Sequence, residues 1–246
     1  MPFPDYLDRK PRLIFFTDFD GTITTVDVWD WLVMTEGYGP EELHRSNQAV
    51  MDGTMTFREA SREQLESIQI GLDKCIKKAI AHLRIDDGFI PFYQWAVSVG
   101  VPIVILSGGL VSLIEAVLKP LVGDELLGIE IVANEAMPRD GFQSVNQDGG
   151  SWTIDFRDDT VYGNDKAQAI RSYAEYRDVM APGEKPILLF AGDGVSDIGA
   201  AKQADLLFAK QGQDLAKYCR HQRVPFVEYR NWKSILRTTQ DLLWVS

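Results

Sequence analysis

Two short apolar runs, far apart in the chain, both break off into acid and glycine. Leu13-Ile-Phe-Phe16 runs into Thr17-Asp18-Phe19-Asp20-Gly21-Thr22, and Pro186-Ile-Leu-Leu-Phe-Ala191 runs into Gly192-Asp193-Gly194-Val195-Ser196-Asp197. Apolar runs of this length, rich in branched and aromatic residues, read as buried strands rather than helices. Side chains two apart on an extended chain share a side, so Asp18 and Asp20 can face one common point at the end of the first strand. Gly21 lets the backbone turn sharply there. Asp197 follows Asp193 by four residues, one helical turn away, with Ser196 as the expected N-cap of the next helix. In open α/β sheets, ligands collect at the carboxyl ends of strands, where both acidic clusters are placed. Carboxylates held so close repel one another unless a cation or a shared proton intervenes.

The rest of the chain agrees with an α/β class. Strand patterns alternate with helix patterns, which predicts a mostly parallel sheet. Strands are expected at Val101–Leu106, ending in Ser107-Gly108-Gly109, at Ile129–Val132 and at Leu206–Phe208. Between the first two strands, residues 36 to 86 read as helices alone. Pro40-Glu41-Glu42 suits a helix start, Thr56-Phe-Arg-Glu59 is a capping-box pattern, and Leu72, Ile76, Ala79, Ile80 and Leu83 recur at helical spacing. This divides the chain into a core, 1–33 and 87–246, and a helical insert, 34–86. Helices are further expected over Val26–Thr35, from Phe89, from near Leu110, from Asp165 to about Val179, from Ser196 through Ala204, over Asp214–His221 and over Trp232–Leu243. Trp152, Ile154 and Phe156 alternate after Gly149-Gly150, which predicts a β-hairpin within residues 141–156.

Composition narrows the function classes. A chain of 246 residues with 45% hydrophobic content supports one large domain or a core with a small insert. The net charge of −11 disfavours nucleic acid and anionic membranes as partners. Cys75 and Cys219 lie too far apart to make a zinc pattern, and the three histidines are scattered. No apolar segment is long enough to cross a bilayer, and Met1–Lys10 has no secretory pattern, so a cytoplasmic location is the expectation.

Four stations then stand out: Asp18 with Asp20, Ser107, Lys166, and Asp193 with Asp197. Hydrolysis of a phosphate monoester needs a cation and oriented donors around the phosphoryl oxygens. Ser107, the amides of Gly108 and Gly109, and the positive end of the following helix supply donors, while Lys166 supplies charge. Mg²⁺ takes oxygen ligands of the kind the aspartates offer, and a carboxylate can attack phosphorus. A calcium-binding loop fails on spacing, since glycine falls at the fourth position from Asp18 and the twelfth residue is Trp29 rather than glutamate.

The ordered set Asp18-Phe-Asp20-Gly21-Thr22, Ser107, Lys166 and Gly192-Asp193-Gly194-x-x-Asp197 resembles the four motifs of the haloacid dehalogenase superfamily. The helical insert resembles the first cap type of that superfamily, as in phosphoserine phosphatases. Further segments, among them Asp205-Leu-Leu-Phe-Ala-Lys210, resemble a subgroup of fungal polyol phosphatases and methionine-salvage enol-phosphatases. The resemblance implies a Rossmann-like core and a set of roles. Asp18 is the nucleophile and a Mg²⁺ ligand. Asp20 gives its carbonyl to the metal and its carboxyl as acid, then base. Asp193 is the third protein ligand, and Asp197 orders the metal shell or a bound water. Thr22, Ser107, Gly108 and Lys166 hold the phosphate. Asp27 and Arg58 match positions that contact substrate in phosphoserine phosphatases. The acid at Asp20 favours a phosphatase over a dehalogenase, because an alkoxide leaving group needs a proton and a halide does not. The expected activity is hydrolysis of small polyol or sugar phosphates. Phosphoserine, a methionine-salvage enol phosphate, or transfer to a second alcohol remain alternatives.

Overall fold

The computed structural model describes residues 10–178, 180 and 185–245. Its centre is a seven-stranded sheet in the order β4-β3-β2-β1-β5-β6-β7. The strands are β1 (Leu13–Thr17), β2 (Ile103–Leu110), β3 (Ile129–Pro138), β4 (Trp152–Asp155), β5 (Ile187–Gly192), β6 (Leu206–Lys210) and β7 (Val227–Tyr229). All pairings are parallel except β3 with β4.

Strand β1 is buried along its whole length and alternates between two cores. Leu13 and Phe15 point to one face of the sheet, with Phe89, Phe92 and Trp232. Ile14 and Phe16 point to the other, with Ile170, Tyr173 and Leu215. Because β1 lies between β2 and β5, its neighbours leave it in opposite directions. This is the reversal of strand order that opens a crevice at the carboxyl edge of such sheets.

The helices are α1 (Val28–Glu36), α2 (Pro40–Met51), α3 (Phe57–Glu66), α4 (Leu72–His82), α5 (Phe89–Val99), α6 (Val111–Val122), α7 (Lys166–Asp178), α8 (Ile198–Ala201), α9 (Asp214–Gln222) and α10 (Trp232–Val245). Helices α2, α3 and α4 stand between β1 and β2 with no sheet strand among them; Ile85 makes only a single bridge to Thr24. The capping box at α3 is formed as the sequence predicts: the Thr56 hydroxyl accepts from the Glu59 amide, and the Glu59 carboxylate accepts from the Thr56 amide. After α4 comes Asp86, whose buried carboxylate accepts from the amides of Gly88 and of Trp232, the first residue of α10.

Several expectations need correction. Strand β2 does not stop before Ser107 but continues through it to Leu110, with a register shift against β3 between Leu106 and Leu110. Such an irregularity re-aims side chains without ending the strand. The hairpin is not contained in residues 141–156. Strand β3 runs on past its parallel pairing with β2, and its outer half, Glu135–Pro138, pairs with β4. Gly149 and Gly150 therefore lie in a long connection rather than in a tight turn. Helix α1 begins two residues later than expected, where Asp27 caps it by accepting from the Asp30 amide. Ser196 is not an N-cap but sits inside a single 3-10 turn, Val195–Asp197, and the helix after it ends at Ala201 rather than Ala204. Strand β7 has no counterpart in the sequence reading. The expected end of α7 at Val179 and the N-terminal segment before Lys10 lie outside the described residues.

Candidate active site

Asp18 follows the last residue of β1, and Asp193 follows the last residue of β5. The Asp18 amide donates to Ala191 at 2.9 Å, so the β1–β5 ladder carries the nucleophile candidate up to the strand edge. Carboxylate oxygens of Asp18, Asp193 and Asp197 lie within 4.8 Å of one another. Into this group reaches Lys166, the first residue of α7. Its ammonium lies 2.5 Å from Asp18 Oδ1 and 2.7 Å from Asp197 Oδ1. All three of these side chains are buried.

Asp197 has no oxygen free of the chain. Oδ1 accepts from Lys166, and Oδ2 accepts from the amides of Asp193 and Gly194 at 2.9 and 3.0 Å. It therefore braces the β5 loop and the lysine together. Asp193 is half-buried and faces the Thr22 hydroxyl at 3.4 Å, so Thr22 is turned toward that carboxylate. Gly21 makes the crowding possible. It has φ +74°, and a Cβ there would lie 2.3 Å from Asp193 Oδ2.

The electrostatics follow from this packing. Burial, added to by Asp197 and opposed by Lys166, pushes the Asp18 carboxyl up to about 7. Burial with the charges of Asp18 and Asp197 pushes Asp193 up to about 8. Burial alone would lower the Lys166 ammonium, but Asp18 and Asp197 outweigh it and raise it. Asp20 is also raised well above the ordinary carboxylate value, by burial first and then by Asp27 and Asp18. The Asp20 carboxylate accepts from the amide of Val28 at 3.2 Å, which aims the start of α1 at it.

Ser107 is buried, and its hydroxyl accepts from the Gly109 amide at 2.9 Å, which folds the serine loop back on itself. Two asparagines hold this loop by its carbonyls. Asn164 Nδ2 donates to Ser107 O at 2.7 Å and to Val132 O at 3.0 Å, and Asn134 Nδ2 donates to Gly108 O at 2.8 Å. The roof comes from the helical part of the chain. The Trp29 indole nitrogen would lie 2.2 Å from a Cβ at Gly109, and the Phe57 ring 3.5 Å from one at Gly108. Only glycine fits under Trp29.

Of the residues the sequence singles out, Asp18, Asp193, Asp197 and Lys166 meet directly, with Thr22 on Asp193 and Asp20 beside them at the start of α1. Asp27 is exposed and serves as the α1 cap. Arg58 is engaged with the loop 156–161, where it donates to the Asp158 carbonyl. The sequence reading passed over Asn134 and Asn164, and also two groups that pin the turn after Asp20. Lys210 donates to the Gly21 carbonyl, and the Trp232 indole donates to the Thr22 carbonyl at 2.8 Å.

Comparison with known proteins agrees with this geometry. Residues 15–202 match the family model for haloacid dehalogenase-like hydrolases. The chain is 39% identical to a polyol phosphate phosphatase of Saccharomyces cerevisiae over 94% of each chain. It is 36% identical to Pdp3-interacting factor 1 of Schizosaccharomyces pombe, over 97% of this chain and 99% of that protein. Identity is 25% with a 2-hydroxy-3-keto-5-methylthiopentenyl-1-phosphate phosphatase of Bacillus cereus, over 94% of this chain. Among solved structures, a phospho-aspartyl intermediate analogue of phosphoserine phosphatase superimposes with a TM-score of 0.64 at 18% identity, covering 93% of this chain and 99% of that one; at that identity the likeness is one of fold. With Asp18, Asp193, Asp197 and Lys166 gathered at the carboxyl ends of β1 and β5, the chain belongs to the haloacid dehalogenase-like hydrolase family.

Proposed function

We propose that this chain is a Mg²⁺-dependent phosphatase that hydrolyses small polyol or sugar phosphates through an aspartyl-phosphate formed on Asp18. The observation that carries the reading is the buried Asp18–Lys166–Asp197 arrangement with Asp193 beside it at the strand edge. Support for the substrate class comes from the polyol phosphate phosphatase to which the chain is 39% identical.

The residues present fit a divalent cation. Three carboxylates share the site with one ammonium, and burial drives Asp18 and Asp193 toward holding protons. Asp18, Asp193 and the Asp20 carbonyl would hold the ion, an oxygen-only set of the type Mg²⁺ prefers. Bound there, Mg²⁺ would offset negative charge on the phosphoryl group and orient it.

The chain's own groups account for the proton and bond changes. Lys166 holds one oxygen of Asp18 and leaves the other for the attack. A carboxylate oxygen of Asp18 bonds to phosphorus as the ester oxygen departs. Asp20, whose proton affinity is raised by burial, passes its proton to the departing oxygen. Asp20 then takes a proton from a water molecule, which attacks phosphorus, frees phosphate and restores Asp18. The hydroxyl of Ser107, the amide of Gly108 and Lys166 hold the phosphoryl oxygens, and Thr22 supports them through Asp193.

The same reading treats 34–86 as a cap over a core of 1–33 and 87–246, with Asp27 at the mouth of the site. It takes small phosphorylated metabolites as partners and the cytoplasm as location. Among the described residues, no helix is long and apolar enough to cross a membrane. The decisive test is a phosphate-release panel over polyol phosphates, sugar phosphates, glycerol phosphate and phosphoserine, with Asp18→Asn as the blank. Release from the polyol and sugar esters that vanishes in the blank is expected. Equal release by the blank would end the assignment.

A further inference from the structure

The first turn of α3 touches the site at two places, and Arg58 stands at the junction. Its amide, one of the helix-start donors with no partner inside the helix, donates to Val161 O at 2.9 Å. Its guanidinium donates to the Asp158 carbonyl and lies 4.3 Å from the centroid of the Phe156 ring. The contact to Asp159, at 3.6 Å on a fully exposed carboxylate, adds little. One residue earlier in the chain, the Phe57 ring covers Gly108.

The loop that Arg58 grips leads straight to the site. The Asp158 carboxylate gathers it, accepting from the Thr160 amide at 2.9 Å, the Thr160 hydroxyl at 2.5 Å and the Asp165 amide at 2.7 Å. Asp165 in turn caps α7, accepting from the amides of Ala167 and Gln168 at 2.9 and 3.2 Å. Between the capping pair sits Lys166, whose ammonium is on Asp18 and Asp197. Asn164, in the same loop, holds the carbonyl of Ser107. Every link from the guanidinium to the lysine is a hydrogen bond or a single residue of chain.

The geometry points to Arg58 as a positioning residue for Lys166 and Ser107, acting through the 156–165 loop, rather than as a group that contacts the leaving part of the substrate. It rests on the reading of Lys166 and Ser107 as phosphate-holding residues. One guanidinium nitrogen is engaged by the Asp158 carbonyl, and the group packs on the Phe156 ring. Losing it loosens the phosphate end of the site, which all substrates share.

The test uses the full-length protein with Arg58→Ala, Arg58→Lys, Asp158→Ala and the Arg58→Ala/Asp158→Ala double variant. Rates are read on an aryl phosphate, glycerol phosphate and phosphoserine. Misplacing a preorganised group costs rate steeply, so Arg58→Ala is expected to lower kcat by about tenfold on all three esters, with KM little changed. Arg58→Lys recovers part of this. Arg58→Ala in the Asp158→Ala background adds little, because the guanidinium reaches Asp165 through the Asp158 carboxylate. In the substrate-free protein, hydrogen exchange at the amides of residues 165–168 quickens in Arg58→Ala, or in Arg58→Lys should the alanine variant fail to fold. A loss confined to phosphoserine, independent additive losses, or unchanged exchange at 165–168 would overturn the inference. Hydrogen exchange needs no substrate. If the wild-type protein hydrolyses none of the esters, the phosphatase reading fails while exchange still decides whether Arg58 holds the loop.

Discussion

Replacing Lys166 by alanine should damage stability and rate through different mechanisms, and the two can be separated by pH. The ammonium sits 2.5 and 2.7 Å from two carboxylates, and Lys166, Asp18 and Asp197 are only 5%, 6% and 0% exposed. At an effective dielectric near 20, each contact attracts by about 6 kcal/mol before the cost of burying the charges is counted. Removing one partner of such a buried set leaves a net loss of roughly 3–5 kcal/mol, because the carboxylates remain without their cation. That loss has a pH dependence. Asp18 is already pushed up to about 7 with the lysine present, and losing the lysine raises it further. A protonated Asp18 no longer needs the ammonium. Urea unfolding in chelator should therefore show a larger deficit near pH 8 than near pH 5. Rate on an aryl phosphate should fall by about 10²–10³, the size of one preorganised transition-state donor, at both pH values. A rate loss under tenfold would remove Lys166 from the phosphate. An equal stability deficit at pH 5 and pH 8 would refute the electrostatic account of the triad.

In metal-free protein, the raised carboxyls of Asp18 and Asp193 mean that the native state binds more protons than the unfolded chain between their ordinary value and about 7 to 8. Stability then falls as pH rises through that window. Thermal unfolding in chelator should show a lower Tm at pH 8 than at pH 5.5, and Mg²⁺ should raise Tm more at pH 8; equal Mg²⁺ shifts would contradict the carboxylate site. Gly21→Ala places a Cβ 2.3 Å from Asp193 Oδ2 at a φ of +74°, so a loss of about 1–3 kcal/mol is expected in urea unfolding, together with reduced Mg²⁺ affinity by titration calorimetry. A variant of unchanged stability and affinity would show that the turn can open without disturbing Asp193.

What could be read from the sequence follows from the range of the contacts. Strand β1 and strand β5 were legible because apolar runs that end in acid and glycine are local patterns, and the position of Asp18 and Asp193 at strand ends follows from them. The α3 capping box was legible for the same reason. Asn134, Asn164, Lys210 and Trp232 were not, since each donates to a backbone carbonyl 26 to 210 residues away, and a carbonyl carries no sequence signal. The outer half of β3 was hidden by its composition: Asn134-Glu-Ala-Met-Pro138 lacks the β-branched alternation of a strand and is half-exposed or exposed beyond Asn134. Strand β7, three residues long, offers too short a window for any period to show.

These long-range donors also hold the helices between β1 and β2 against the acidic sheet edge. The turn from Asp20 to Thr22 connects β1 to the insert, and Lys210 and Trp232 hold its carbonyls from the β6 and α10 side of the sheet. Asp86, after α4, is tied to the first residue of the same α10. Trp232 therefore bonds to both sides of the helical segment between Thr22 and Asp86, through its indole and its amide. On the opposite side, the turn between α3 and α4 is bonded to the β3–β4 connection: Leu72 donates to Val145 O, the Gly149 amide to Gln69 O, and the Trp152 indole to Ile70 O. The helices between β1 and β2 are thus held at two separate places, and Trp29 and Phe57 lie against Gly109 and Gly108. On the proposed phosphatase reading, Trp29 and Phe57 would limit the size of the leaving group above Gly109 and Gly108, while the reaction would depend on the aspartates and the lysine.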